Sequence, residues 1–247
     1  MCTLIVATRV WRSVSLVVAA NRDERLGRPA EPPTLRDEDR MQVLAPRDLE
    51  AGGTWMGINA CGVFVAITNR FAPKRSDRRS RGQLVLDMLQ EPSPERAVAR
   101  VMDIAPTEHN PFHLVLADQR DAHLVWSDGE QHRHEVLAPG FHVITERSFD
   151  AAPTKRIELL HDKLRALFGP TPPSPEAWQQ VLATRADDPL EGVNVHDEKR
   201  GYGTRSSSIL YMGEDPERLR FLHAEGQPDR VPYVDLSSEL RTLLQAG

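Results

Sequence analysis

The chain has 247 residues, of which 40% are hydrophobic, 27% charged and 6% aromatic, the composition of an ordinary soluble globular protein. A formal net charge of −5 leaves no global electrostatic footprint for nucleic acid, and two cysteines exclude a disulfide framework or a Cys-rich zinc module. The longest strongly apolar run, residues 14–20, is far too short to span a bilayer.

The first seventy residues read as strands. Runs at 3–8, 13–20, 41–45, 54–59 and 63–68 are apolar or β-rich and are separated by Gly, Pro, Asn and charged clusters. Arg9 and Arg12 ahead of 13–20 imitate a signal peptide, but the apolar run at 4–7 precedes the arginines, so two strands joined by a turn explain the same residues better. The first two runs lack strict alternation, which predicts strands buried on both faces.

Helices follow. Leu84, Val85, Met88 and Leu89 have helical spacing, and Ser93-Pro94-Glu95 supplies the N-cap, N1 proline and first-turn acid of a second helix. Strands are predicted at 112–117, 122–126, 133–137 and 142–145, with Asp128-Gly129 as a hairpin turn. Residues 153–168 place Ile157, Leu160, Leu164 and Leu167 on one helical stripe, and Ser174-Pro175-Glu176 repeats the helix-start pattern. Residues 186–200 read as a mobile acidic loop, 206–212 and 218–223 as strands, and 237–244 as a closing helix. Strands, helices, strands, helices and strands in that order predict one α+β layered domain over residues 1–247, with two stacked sheets flanked by helices.

Cys2 holds the most informative position. By position alone it is a small apolar residue opening a buried strand. Removal of Met1 would give its thiol a free α-amine, whose unperturbed pKa of about 7.7–8.0 suits an internal base. Asn21-Arg22-Asp23-Glu24 follows an apolar strand directly, so Arg22 is a candidate to lower the thiol pKa and Asp23 to hold the amine; a solvated turn is the alternative. Asn69 ends a strand and is either an oxyanion donor or a turn former. Arg205 enters a strand rich in small hydroxyls behind Gly201-Tyr202-Gly203.

Met1-Cys2, Asn21-Arg22-Asp23-Glu24, Gly52-Gly53-Thr54-Trp55, Thr68-Asn69, Arg81-Gly82-Gln83-Leu84-Val85, Pro139-Gly140 and Gly201-Tyr202-Gly203-Thr204-Arg205 occur in that order. Together they resemble the Asn-Arg-Asp-Glu family, which in turn resembles the N-terminal nucleophile hydrolases of the penicillin V acylase and bile salt hydrolase type. The resemblance implies a four-layer αββα sandwich of mainly antiparallel sheets. It implies Cys2 as nucleophile, Asp23 as partner of its amine, Asn69 as oxyanion donor and Arg205 as a second catalytic arginine. Asn21, Arg22, Trp55, Arg70, Glu146 and Tyr202 are the expected substrate-binding residues. Two positions depart from the hydrolase pattern: the order Asn21-Arg22-Asp23 moves the first arginine, and Glu146 stands where an amide is expected, in a segment continuing through Phe149-Asp150. A carboxylate donates to an oxyanion only when protonated.

The expected activity is hydrolysis of an amide or thioester. The alternative is a non-catalytic carrier of haem or an anionic acyl ligand, since members of the resembled family are linked to haem and lipid handling and to secretory-membrane organisation. No cofactor is required and haem enters only as a ligand. Arg70, Lys74, Arg75, Arg78, Arg79 and Arg81 form a basic run suited either to an anionic substrate tail or to a solvated loop. His132 and His134 read as an exposed strand face and no metal site is expected. The expected location is cytoplasmic, and the oligomeric state is open.

Overall fold

The computed structural model describes residues 2–147 and 154–245. The chain divides into two compact units, one of residues 1–28 and 139–237, the other of residues 29–138 and 238–247.

The first unit is built on a seven-stranded sheet. Its strands are β1 (Cys2–Trp11), β2 (Val14–Arg25), β10 (Gly140–Ile144), β11 (His196–Asp197), β12 (Tyr202–Met212), β13 (Arg220–Ala224) and β14 (Val234–Asp235). They lie in the order β10-β1-β2-β12-β13-β14, with β11 paired to β12, and every pairing is antiparallel. The β1–β2 hairpin accounts for the run that imitated a signal peptide. Residues 3–8 of β1 are all buried, as the unbroken apolar pattern predicts for a strand covered on both faces.

One face of this sheet is packed by α3 (Lys155–Leu167) and α4 (Pro175–Leu182). Leu160, Leu164, Trp178, Val181 and Leu182 from the helices meet Ile5, Ala7, Val17, Ala19, Ile209 and Tyr211 from the sheet. The stripe predicted over 153–168 is therefore the buried face of α3, while the expected start at Pro153 lies outside the described residues. Ser174 caps α4 by accepting from the Ala177 N–H, as its Ser-Pro-Glu start predicts.

The second unit holds the other seven-stranded antiparallel sheet, in simple sequence order β3-β4-β5-β6-β7-β8-β9. Its strands are β3 (Ala30–Glu38), β4 (Met41–Asp48), β5 (Met56–Asn59), β6 (Phe64–Asn69), β7 (Phe112–Ala117), β8 (Ala122–Ser127) and β9 (His132–Val136). Helices α1 (Arg81–Met88) and α2 (Pro94–Asp103) pack on one face, where Leu84, Val85, Met88, Ala97 and Val101 meet Val65, Phe112, Leu114 and Val125. The Gly-Gly and Arg-Gly-Gln segments meet here: Thr54 N–H donates to Gly82 O, and a side chain on Gly53 would collide with the Gly82 backbone. The last helix is α5 (Ser237–Gln245).

Two sequence expectations need correction. Strand β3 was missed because Pro32 and Pro33 argue against a ladder; it is an edge strand whose register with β4 shifts between Glu31 and Thr34, a place where prolines are tolerated. Residues 186–200 are not a mobile loop throughout. Val193, Asn194 and Val195 are fully buried, and the segment continues into β11 and a 3₁₀ turn at Glu198–Arg200.

The α+β class with mainly antiparallel sheets and flanking helices is found as expected. Among the described residues no helix is long and apolar enough to cross a membrane.

Candidate functional site

In the first unit, register determines which side chains meet. Across β1 and β2, Cys2 stands opposite Arg22 and Thr3 opposite Asn21. Across β2 and β12, Asp23 stands opposite Thr204, Arg22 opposite Ser206 and Asn21 opposite Ser207. Directly opposed residues share a face and successive residues alternate. Thr3, Asn21, Asp23, Thr204 and Ser207 therefore lie on the helix-packed face, and Cys2, Arg22 and Ser206 on the other. The register shifts between Thr204 and Ser206, which makes Arg205 the extra residue of a bulge, a device that re-aims a side chain.

Asp23 is the centre of the helix-facing group. Its Oδ1 accepts from Thr204 Oγ1 at 2.8 Å, and its Oδ2 lies 3.5 Å from Arg156 Nη1. The same Arg156 nitrogen is 3.8 Å from Glu146 Oε2 and 3.4 Å from Thr3 Oγ1, while Nη2 donates to Leu190 O at 2.8 Å. Burial pushes the Asp23 carboxyl up to about 6, against the opposing pull of Arg156 and the Thr204 hydrogen bond. Thr204 is itself fixed, since its hydroxyl accepts from the Val195 N–H at 3.0 Å. Gly203 makes that contact possible, because a side chain there would lie 2.9 Å from Val195 O.

Two of the expected substrate-binding residues are engaged within the protein. Glu146, standing where an amide is expected, is buried with its Oε2 3.8 Å from Arg156 Nη1. Asn21, expected to bind substrate, has its polar groups engaged inside the protein. Its Nδ2 donates to Leu182 O and Val193 O, both at 2.9 Å, and its Oδ1 accepts from Ser207 Oγ at 2.7 Å. The solvated-turn alternative for 21–24 also fails, because Asn21, Arg22 and Asp23 are buried within β2.

Cys2 is a half-buried free thiol. Burial and the neighbouring Asp23 carboxylate raise its pKa, while the Asp23 backbone N–H, donating to the sulfur, and the Arg22 charge favour the thiolate. Tyr202 donates its hydroxyl to Asp23 O at 3.0 Å, and burial holds its pKa far above the usual tyrosine value. Arg205 pairs with Glu225 at 2.9 Å.

Asn69, Arg70 and Trp55 belong to the second unit. Asn69 is the exposed end of β6, opposite Phe112 on β7. The Arg70 N–H donates to Pro111 O, and Trp55 packs half-buried against the α1–α2 core. The basic run is partly neutralised within its own unit: Arg75 pairs with Asp77 at 2.8 Å, and Arg79 with Asp87 at 2.8 Å and Glu108 at 3.3 Å. His134 is exposed as expected, but its Nε2 meets His123 Nδ1 at 3.0 Å.

Arg156 and Thr204 are site residues that sequence reasoning missed. A signal for Arg156 existed: it sits four and eight residues before Leu160 and Leu164, on the apolar stripe of α3, where a charge needs a buried partner.

A family model described as Transport and Golgi organisation 2 matches residues 1–225. A Bos taurus Transport and Golgi organization protein 2 homolog is 32% identical over 133 residues, covering 51% of this chain and 48% of that protein. The match thus spans about half the length of that relative. Among solved structures, a Caenorhabditis elegans ortholog of N-acylethanolamine-hydrolyzing acid amidase superposes with a TM-score of 0.56 at 15% identity, over 88% of this chain and 96% of that one. A single-site variant of Clostridium perfringens conjugated bile acid hydrolase gives 0.53 at 10% identity, over 96% of this chain and 93% of that one. The likeness establishes the fold as that of the N-terminal nucleophile hydrolases.

Proposed function

The chain belongs to the Transport and Golgi organisation 2 family, and from that membership and its fold we propose that it is an amidohydrolase acting through Cys2. The structural neighbours bear the names of an acid amidase and a bile acid hydrolase. The observation that carries the reading is the meeting of Cys2 and Asp23: the Asp23 N–H donates to the sulfur, and its buried carboxyl is held by Thr204 and Arg156. An N–H donor to the sulfur favours the thiolate, and covalent catalysis pairs such a nucleophile with a base, the role the α-amine has in this reading.

In this reading, removal of Met1 exposes the Cys2 α-amine, which takes the thiol proton. The thiolate adds to the carbonyl carbon of an amide, the C–N bond breaks, and the amine leaves with the proton. Water then hydrolyses the Cys2 thioester, releasing the acid and restoring the thiol. Asp23 orients the α-amine, and Arg22 favours the thiolate.

The test is turnover of a panel of N-acyl amides by protein whose N-terminus is verified by mass as Cys2. Hydrolysis that is lost in Cys2→Ala, with substrate affinity retained, supports the reading. Equal turnover by Cys2→Ala refutes it, and binding with no turnover in either protein refutes it in favour of the carrier alternative.

A further inference from the structure

The face of the first sheet that carries Cys2 also carries a chain of side-chain hydrogen bonds that the proposed reaction leaves unused. Ser208 Oγ meets His223 Nδ1 at 2.8 Å, His223 Nε2 meets Glu225 Oε1 at 2.8 Å, and Glu225 Oε2 accepts from Arg205 Nη1 at 2.9 Å. Ser208 and His223 are opposed across β12 and β13 and are both buried. Arg205 is the bulged residue of β12, next to Ser206, which closes the row Cys2, Arg22, Ser206 across three strands. Burial pushes the Glu225 carboxyl up, but the His223 hydrogen bond and the Arg205 charge leave it below its ordinary value, so it is ionised at neutral pH.

A guanidinium has five N–H donors in a rigid fork. Glu225 takes Nη1, whereas Nε is buried and has no hydrogen-bond partner among the described residues. A buried donor without a partner is costly to keep. Nε together with Nη2 forms the edge of the guanidinium that binds a carboxylate through two parallel hydrogen bonds. The Arg205 side chain as a whole retains 22% of its surface exposed.

We propose that Glu225, backed by His223 and Ser208, is a positioning residue that fixes Arg205 so that its Nε edge receives the carboxylate of an acyl substrate. This deepens the Cys2 reading and rests on it for the word substrate. The bulge re-aims Arg205, the ion pair sets its rotation, and the His223–Ser208 pair prevents Glu225 from turning away.

The experiment compares alkylation of Cys2 by iodoacetate and by iodoacetamide, in Cys61→Ser protein, with adducts read by peptide mass. Iodoacetate carries the carboxylate that the Nε edge should hold. The ratio of the two rates is expected to fall several-fold in Arg205→Lys, which keeps the charge and loses the fork. It is also expected to fall in Glu225→Gln and to recover in part in Glu225→Asp. Glu225→Gln is the decisive variant because it removes a negative charge: electrostatics alone would raise the ratio, whereas loss of positioning lowers it. An unchanged or raised ratio overturns the proposal.

If Cys2 reacts with neither reagent, the nucleophile reading fails, and the positioning claim is decided by the arginine side-chain ¹H–¹⁵N spectrum. A slowly exchanging Arg205 Nε–H signal, assigned by its absence in Arg205→Lys and lost in Glu225→Gln, supports it. Persistence of that signal in Glu225→Gln overturns it.

Discussion

Arg156 reaches from α3 to within 3.5 Å of the Asp23 carboxylate, and both side chains are almost entirely buried. Removing one partner of a buried ion pair strands the other charge, which costs about 3–5 kcal/mol. Arg156→Met, whose side chain has similar reach, should therefore destabilise the first unit by about that amount. Urea denaturation followed by fluorescence of Trp11 and Trp178, which lie in the same core, measures it. A loss within experimental error would mean that Asp23 and Glu146 do not depend on Arg156.

The Asp23 carboxyl, held up at about 6 by burial against an ordinary 3.8, makes stability depend on pH. A carboxyl whose folded pKa is raised binds more protons folded than unfolded between those two values, so stability falls as pH rises through the window and levels off above about 6. The difference amounts to about 3 kcal/mol. Asp23→Asn should remove this component: the wild-type curve should drop relative to the variant between about pH 4 and 6.5 and run parallel above it. Parallel curves throughout would contradict the buried setting of Asp23.

Thr204 both donates to Asp23 and accepts from the Val195 N–H. Thr204→Val keeps the shape and leaves that N–H and one carboxylate oxygen without their partner. The expected cost is about 1–3 kcal/mol, with the Asp23 pKa moved further up from about 6. Carboxyl titration by ¹³C NMR separates the two effects.

Asn21 holds the C-terminal turn of α4 and residue 193 to the sheet through its two Nδ2 bonds. Asn21→Ala should lower stability by about 3 kcal/mol and raise amide exchange across 182–195, while the reactivity of Cys2 changes little. A selective loss of Cys2 reactivity with stability intact would restore the substrate-binding role that the sequence suggested.

The hairpin of β1 and β2 was legible because its apolar runs are local, and so were the capped starts of α2 and α4, where Ser, Pro and Glu act on their own backbone. The fold family was legible from short motifs scattered over two hundred residues. What escaped was set by long-range pairing. Arg156 is separated from Asp23 by more than a hundred positions, and only the antiparallel register of β2 and β12 brings Thr204 onto the same carboxylate. The internal bonds of Asn21 were hidden for the same reason: its acceptors, Leu182 and Val193, are remote in sequence. Strand β3 was hidden by two prolines that an edge strand tolerates.

In the proposed reaction Cys2, once N-terminal, forms an acyl intermediate. Intact and peptide mass spectrometry of Met1-free protein, quenched rapidly after mixing with an activated N-acyl substrate, tests it most directly. One acyl group is expected on Cys2, formed more slowly in Asp23→Asn and absent in Cys2→Ala. Acylation of Cys61 at the same rate, or an adduct that persists in Cys2→Ala, would contradict it.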